Sequence, residues 1–200
     1  MARPRDQRCR PGGAHASAGY TLLEALTVVS VLAILLASSL PSFRGLALRS
    51  ELKNAADRLR SDMGEARATA RERGQAVYLS FVRSSDGANW CWGLSLAPGC
   101  NCNTDDVADA AYCHLDRDAA TAAPLLHVVR SEAFRSVLLA QPSFGTALRF
   151  SAVRADLVAG NVAFSSAASG EAVRVVVSAL GRLRLCTPAD ARAVSGLPPC

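Results

Sequence analysis

Between Tyr20 and Leu40 the chain runs for twenty-one residues with a single charge, Glu24, and with neither glycine nor proline inside. As a helix rising ~1.5 Å per residue, such a run matches a hydrocarbon core of roughly 30 Å. Arg3, Arg5, Arg8 and Arg10 precede it, against Asp6 alone. That basic flank keeps the amino end cytoplasmic and sends the rest of the chain across the membrane. A secretory signal peptide fits the run poorly. Its apolar region is usually ~7–15 residues and closes on a small-residue cleavage site, whereas here the small-residue break, Ala18-Gly19, precedes the run. A plain anchor does not account for Glu24 either. An ionisable group within the bilayer costs roughly 2.5–3.5 kcal/mol on insertion scales and calls for a partner.

Gly19-Tyr20-Thr21-Leu22-Leu23-Glu24 resembles the type IV prepilin signature: glycine, an aromatic, three mostly apolar residues, then glutamate. Pro41 falls where many pilins carry a helix-kinking proline. The resemblance implies that a prepilin peptidase cuts after Gly19 and methylates the new amino terminus at Tyr20. Most members have phenylalanine there, so Tyr20 is a mild departure. It implies also that Glu24 meets the amino terminus of an adjacent pilin or pseudopilin during assembly. A buried charge whose partner arrives only on docking favours one register. The implied domain plan is a cleaved leader over 1–19, a transmembrane and assembly half-helix over 20–41, and a globular domain over 42–200. The globular part then faces the periplasm from a single inner-membrane span, and later the pilus exterior.

The formal net charge of +5 overstates the basic character of the mature chain, because the leader holds four of the arginines. The remaining charge is uneven, with an acidic stretch over 84–124 between two basic ones. Local clustering therefore decides any nucleic-acid argument. Cysteines stand at Cys9, Cys91, Cys100, Cys102, Cys113, Cys186 and Cys200. Cleavage after Gly19 removes Cys9 and leaves six. In an exported domain these read as up to three disulfides, with 15 possible connectivities. The expected arrangement pairs Cys186 with Cys200 and leaves Cys91, Cys100, Cys102 and Cys113 among themselves. A zinc site from Cys100, Cys102, Cys113 and His114 is the metal alternative. Its spacing is atypical and the compartment oxidising, and no cofactor is expected.

Past Pro41, Leu48, Leu52, Ala55 or Ala56, Leu59, Met63, Ala66 and Ala70 recur at steps of three and four, one stripe of an amphipathic helix that Gly74 stops. The opposite face, with Arg49, Lys53, Asp57, Arg60, Arg67 and Arg71, reads as solvated. From Ala76 the period changes to two. Strands are predicted over 76–82, 90–96, 125–130, 134–140, 147–152, 161–165, 172–178 and 182–186, with a long aperiodic excursion over 97–124. A long helix succeeded by short antiparallel strands is an α+β, pilin-like plan.

The densest pattern near the carboxy end is Gly181-Arg182-Leu183-Arg184-Leu185-Cys186. Glycine supplies positive φ for a tight turn. Alternation then puts Arg182 and Arg184 on one face, about 7 Å apart, a spacing that suits neighbouring phosphates of a DNA strand. Each is a planar donor fork for phosphate oxygens. The pattern resembles the Gly-Arg-x-Arg motif of FimT-type minor pilins, relatives of the GspH-type pseudopilins of type II secretion. That resemblance implies DNA binding in natural transformation through Arg182 and Arg184, and contact through a few arginines is sequence-independent. Arg174, on the preceding strand, and Arg192, in the terminal loop, are weaker candidates to extend the patch. The alternative reading is a structural minor pseudopilin that primes assembly and touches no nucleic acid. Trp90 and Trp92 read as core residues rather than base stackers. No enzyme signature appears: His15, His114 and His127 stand alone, and no G-x-S-x-G, H-E-x-x-H or phosphate-binding glycine loop occurs.

Overall fold

The computed structural model describes residues 20–115, 127–152 and 157–200, without the side chains of 38–42. Cys9, His15, Gly19, the Pro41 side chain and the first two residues of the strand expected over 125–130 lie outside the described residues. The chain divides into two compact units between Pro41 and Ser42. Helix α1 covers Leu22–Arg73, 52 residues.

In the amino-terminal unit Thr21 opens the helix. Its Oγ1 accepts the Glu24 N–H at 3.2 Å, in the Thr-x-x-Glu pattern of a capping box. Thr27 and Ser30 donate their hydroxyls to the carbonyls of Glu24 and Leu26, at 2.8 Å each, so these polar groups are satisfied within the helix. Leu22, Leu23, Leu26, Val29, Leu32, Ile34 and Leu36 are all exposed. Among the described residues, no helix is long and apolar enough to cross a membrane.

In the globular unit, Leu52, Ala55, Ala56, Leu59, Met63, Ala66 and Ala70 are all completely buried. The stripe mixes small and large side chains, and all of them belong to one close-packed apolar cluster with the strands. The helix stops at Gly74, which takes φ +65°. Eight strands come after it: β1 Val77–Arg83, β2 Trp90–Ser95, β3 Val128–Arg130, β4 Leu138–Leu139, β5 Ala147–Phe150, β6 Gly160–Ser165, β7 Ala172–Val177 and β8 Leu183–Cys186. They form two antiparallel sheets, ordered β3-β2-β1-β5 and β4-β6-β7-β8. Their inward residues share one core with the helix stripe. The fold is thus α+β as expected, a long helix packed on two antiparallel sheets.

Two predicted strands are corrected. The segment predicted over 134–140 pairs only at Leu138–Leu139, after a 3-10 turn at Ser131–Ala133. Phe134 stacks on Trp90 with ring centroids 6.1 Å apart, and Trp90 Nε1 donates to Val137 O at 2.9 Å. The segment is spent on capping the aromatic core, which Trp90, Trp92 and Phe164 centre. The last strand begins at Leu183, because Arg182 closes the preceding hairpin.

Strand β2 is buried along its whole length. Trp90, Trp92 and Leu94 face the helix, while Cys91 lies in a second cluster with Cys100, Cys102 and Cys113. Disulfides Cys91–Cys102 and Cys100–Cys113 tie the 97–115 excursion over this outer face. A Cβ at Gly93 would lie 2.6 Å from Cys113 Sγ, so glycine is what lets the bridge seat there. The zinc alternative loses its thiolates to these bonds, and no group fit for a metal occurs among the described residues.

The helix face read as solvated is corrected at three of its six positions, while Asp57, Arg60 and Arg71 are exposed. Arg49 holds Glu171 at 2.6 Å, Lys53 Nζ donates to Ser195 O at 2.9 Å, and Arg67 reaches the β7–β8 loop. On the first sheet's side, Trp92 Nε1 donates to Asp62 Oδ2 at 2.7 Å, and Arg58 pairs with the same carboxylate at 3.1 Å. Burial pushes the Asp62 carboxyl above its usual value, outweighing the Trp92 hydrogen bond and the Arg58 charge that favour ionisation. A raised folded-state value means that the folded chain binds more protons than the unfolded one in the window above pH 3.8. Stability therefore falls as pH rises through that window. Asp62→Asn removes this dependence. In urea unfolding, its stability relative to the parent is expected to be more favourable at pH 7 than at pH 4; an unchanged or reversed difference would refute this account.

Candidate nucleic-acid interface

The β7–β8 hairpin carries the arginine motif. Its last paired residues are Val177 and Leu183. Beyond them Ser178 N donates to Arg182 O at 3.0 Å, Gly181 N to Ser178 O at 2.8 Å, and Arg182 N to Ser178 Oγ at 3.0 Å. This is a three-residue loop whose third position must be left-handed, and Gly181 fills it at φ +74°. A Cβ there would meet Arg67 Nη1 at 2.8 Å and Arg67 Cζ at 2.9 Å. Glycine is thus required twice, by the backbone and by the helix residue against it.

From this turn the chain alternates. Arg182 and Arg184 are exposed, Leu183 is half-buried and Leu185 is buried. Among the described residues neither guanidinium has a hydrogen-bond or ion-pair partner. Arg184 faces Val176 and Arg174 faces Cys186 across the ladder. Arg174 and Arg184 are therefore diagonal neighbours on one sheet face, roughly 7–8 Å apart. Arg174 is half-buried, and its Nε is enclosed without a partner. Arg192 is not brought to the motif. Its N–H donates to Gly170 O at 3.0 Å, and its backbone forms an isolated parallel β-bridge with that of Glu171. That is the far end of β7, about 23 Å from Ser178 at ~3.3 Å per residue.

Strand β8 is an edge, and the carboxy terminus ties it down. Cys186 bonds Cys200, and Thr187 exchanges backbone bonds with Pro198 and Cys200 at 2.8 and 2.9 Å. The arginines thus rise from a strand braced by one neighbour, a disulfide and a helix contact. The tryptophans offer no stacking platform, being 3% and 0% exposed.

Arg67 is the residue that reading the sequence missed. Its helical position says only that it lies opposite the apolar stripe, and nothing local signals a contact 114 residues away.

The family described as type II transport protein GspH matches residues 55–181. Arg182 and Arg184 lie just beyond the matched residues. No curated protein matches the chain at a significant level. Two crystal structures of the type IV minor pilin FimU from Pseudomonas aeruginosa (strain PAO1) are similar to it. One is 20% identical and covers 72% of this chain and 97% of its own, with a TM-score of 0.46. The other, in a second crystal form, is 19% identical and covers 70% and 100%, with a TM-score of 0.46.

Gly170 provides a control for the role of Gly181, since it too has positive φ, +66°, but with open space where a Cβ would stand. Gly181→Ala is expected to lower unfolding stability by roughly 1–3 kcal/mol, and by more than Gly170→Ala, as measured by urea unfolding. Equal losses would mean that the Arg67 contact adds nothing.

Proposed function

The chain belongs to the GspH family of type II transport proteins, and from that premise we propose that it is a minor pilin that binds DNA non-specifically through Arg182 and Arg184 during natural transformation. The observation that carries this reading is the pair of exposed guanidiniums, unpartnered among the described residues, on a hairpin whose turn is closed by its own hydrogen bonds. Two donor forks on one face bind phosphate oxygens without reading bases, so affinity is modest and depends steeply on salt. Arg174 extends the face beside Arg184.

In this reading the amino-terminal unit serves assembly. A prepilin peptidase cuts after Gly19 and methylates Tyr20. The exposed leucines and valines then lie in the inner membrane and later against neighbouring pilins, with Glu24 meeting a neighbour's amino terminus. An apolar helix face of this size needs lipid or other helices to cover it. The family's description favours a second reading, a structural pseudopilin of type II secretion that primes assembly without nucleic acid.

Gel shift of the whole chain in mild detergent separates the two readings. The wild type is expected to retain a duplex oligonucleotide at low salt, and Arg182→Ala/Arg184→Ala to weaken retention at least tenfold. The slope of log affinity against log salt should fall by about 1.8, or ~0.9 for each lost phosphate contact. No retention by the wild type would favour the secretion reading, and unchanged retention by the double variant would misplace the site. Mass spectrometry of the chain from cells is expected to show an amino terminus at methylated Tyr20. An intact leader would defeat the pilin processing.

A further inference from the structure

The tip of the arginine hairpin has no apolar anchor. Ala179 and Leu180 are exposed, Leu180 to 68%. Among the described residues, one side chain ties the tip to the helix. Arg67 Nη1 donates to Gly181 O at 2.7 Å and Nη2 to Leu180 O at 3.4 Å. One planar guanidinium thus spans two consecutive carbonyls at the bend, and it packs where Gly181 lacks a Cβ. The internal bonds of the loop close the turn but leave it free to swing about the end of the β7–β8 ladder. The Arg67 bonds remove that freedom.

We infer that Arg67 is a positioning residue for the site: it locks the hairpin tip to α1 so that Arg182 and Arg184 stand preorganised for phosphate, while its own charge is occupied by carbonyls. This rests on the DNA-binding reading for its consequence, although the lock itself does not depend on DNA. A loop already held in its bound geometry loses less freedom on binding. A guanidinium is suited to the task because its donors sit in a rigid planar fork, whereas a lysine ammonium is a compact point charge on a flexible stem.

The test compares wild type, Arg67→Gln, Arg67→Lys and Arg71→Ala as whole chains in detergent, with two measurements. The first is amide hydrogen exchange over 178–186 without DNA. Arg67→Gln is expected to raise exchange at Gly181 and Arg182, whose amides bond Ser178, by about tenfold or more, with Arg67→Lys intermediate and the rest of β7 unchanged. The second is affinity for a duplex oligonucleotide across a salt series. Arg67→Gln is expected to weaken binding roughly three- to tenfold, the scale of one lost charge-assisted contact, with the salt slope unchanged because no phosphate contact is lost. Arg71→Ala, one helical turn away and exposed, controls for general loss of positive charge and should leave hairpin exchange unaltered. Unchanged exchange in Arg67→Gln overturns the lock. A slope reduced by about 0.9 overturns it differently, by making Arg67 a direct phosphate contact. Raised exchange with unchanged affinity also overturns the positioning role. If the wild type itself binds no DNA while Arg67→Gln still loosens the hairpin, the DNA reading has failed and the positioning role falls with it, leaving the lock as architecture alone.

Discussion

The globular unit depends on one buried stripe of α1, from Leu52 to Ala70, which both sheets use as a shared wall. Each sheet is four strands wide, and β3 and β4 are only three and two residues long. Sheets so narrow hold little core between themselves alone. With the helix against them, Trp92, Phe150, Phe164, Leu79 and Leu148 close around Leu59 and Met63 in one apolar cluster. Removing water from that surface is the non-directional drive that brings the elements together.

Position and orientation come from a different set of bonds. The helix reaches both sheets with polar side chains: Asp62 to Trp92, Glu51 to Ser136, Arg49 to Glu171, Lys53 to Ser195 and Arg67 to the β7–β8 tip. Several of these meet loops rather than strands, because loop carbonyls lack ladder partners and accept readily. Directional bonds at the rim of a hydrophobic contact fix its rotation and register, which apolar packing alone leaves loose. The three disulfides repeat the division of labour. Two tie a long aperiodic excursion over the outer face of β2, and the third fastens the chain end beside the edge strand that carries the arginines.

Periodicity and turn chemistry account for what could be read early. Leu52 to Ala70 declares a helix face by its spacing, Gly74 declares its end, and the alternation after Ala76 declares strands. The strand expected over 134–140 misled because its apolar residues are consumed by a tertiary demand. Phe134 and Val137 serve the Trp90 ring and its N–H, a destination that no local pattern encodes. The arginine motif was legible for the same reason that it is compact: glycine, turn and alternation lie within six residues. Arg192, a weaker candidate alongside Arg174, is not beside the motif, since the terminal loop carries it to the opposite end of β7. The basic helix face illustrates the reverse error. Exposed charge at helical spacing is ordinarily solvated, yet Arg49, Lys53 and Arg67 each find an acceptor more than a hundred residues away.

From the sequence alone come the apolar amino-terminal run with its single acid, the amphipathic helix after it, the α+β plan, and the pairing of positive-φ glycine with alternating arginines at the carboxy end. These are properties of spacing, which short-range sterics and side-chain periodicity decide within a few residues. The tertiary structure alone decided which cysteines meet around β2, why Gly93 and Gly181 have no room for a side chain, and which helix cations are held by carbonyls while Arg182 and Arg184 point to solvent. Those outcomes depend on contacts between residues far apart in the chain, and only the closed core brings such residues within bonding distance.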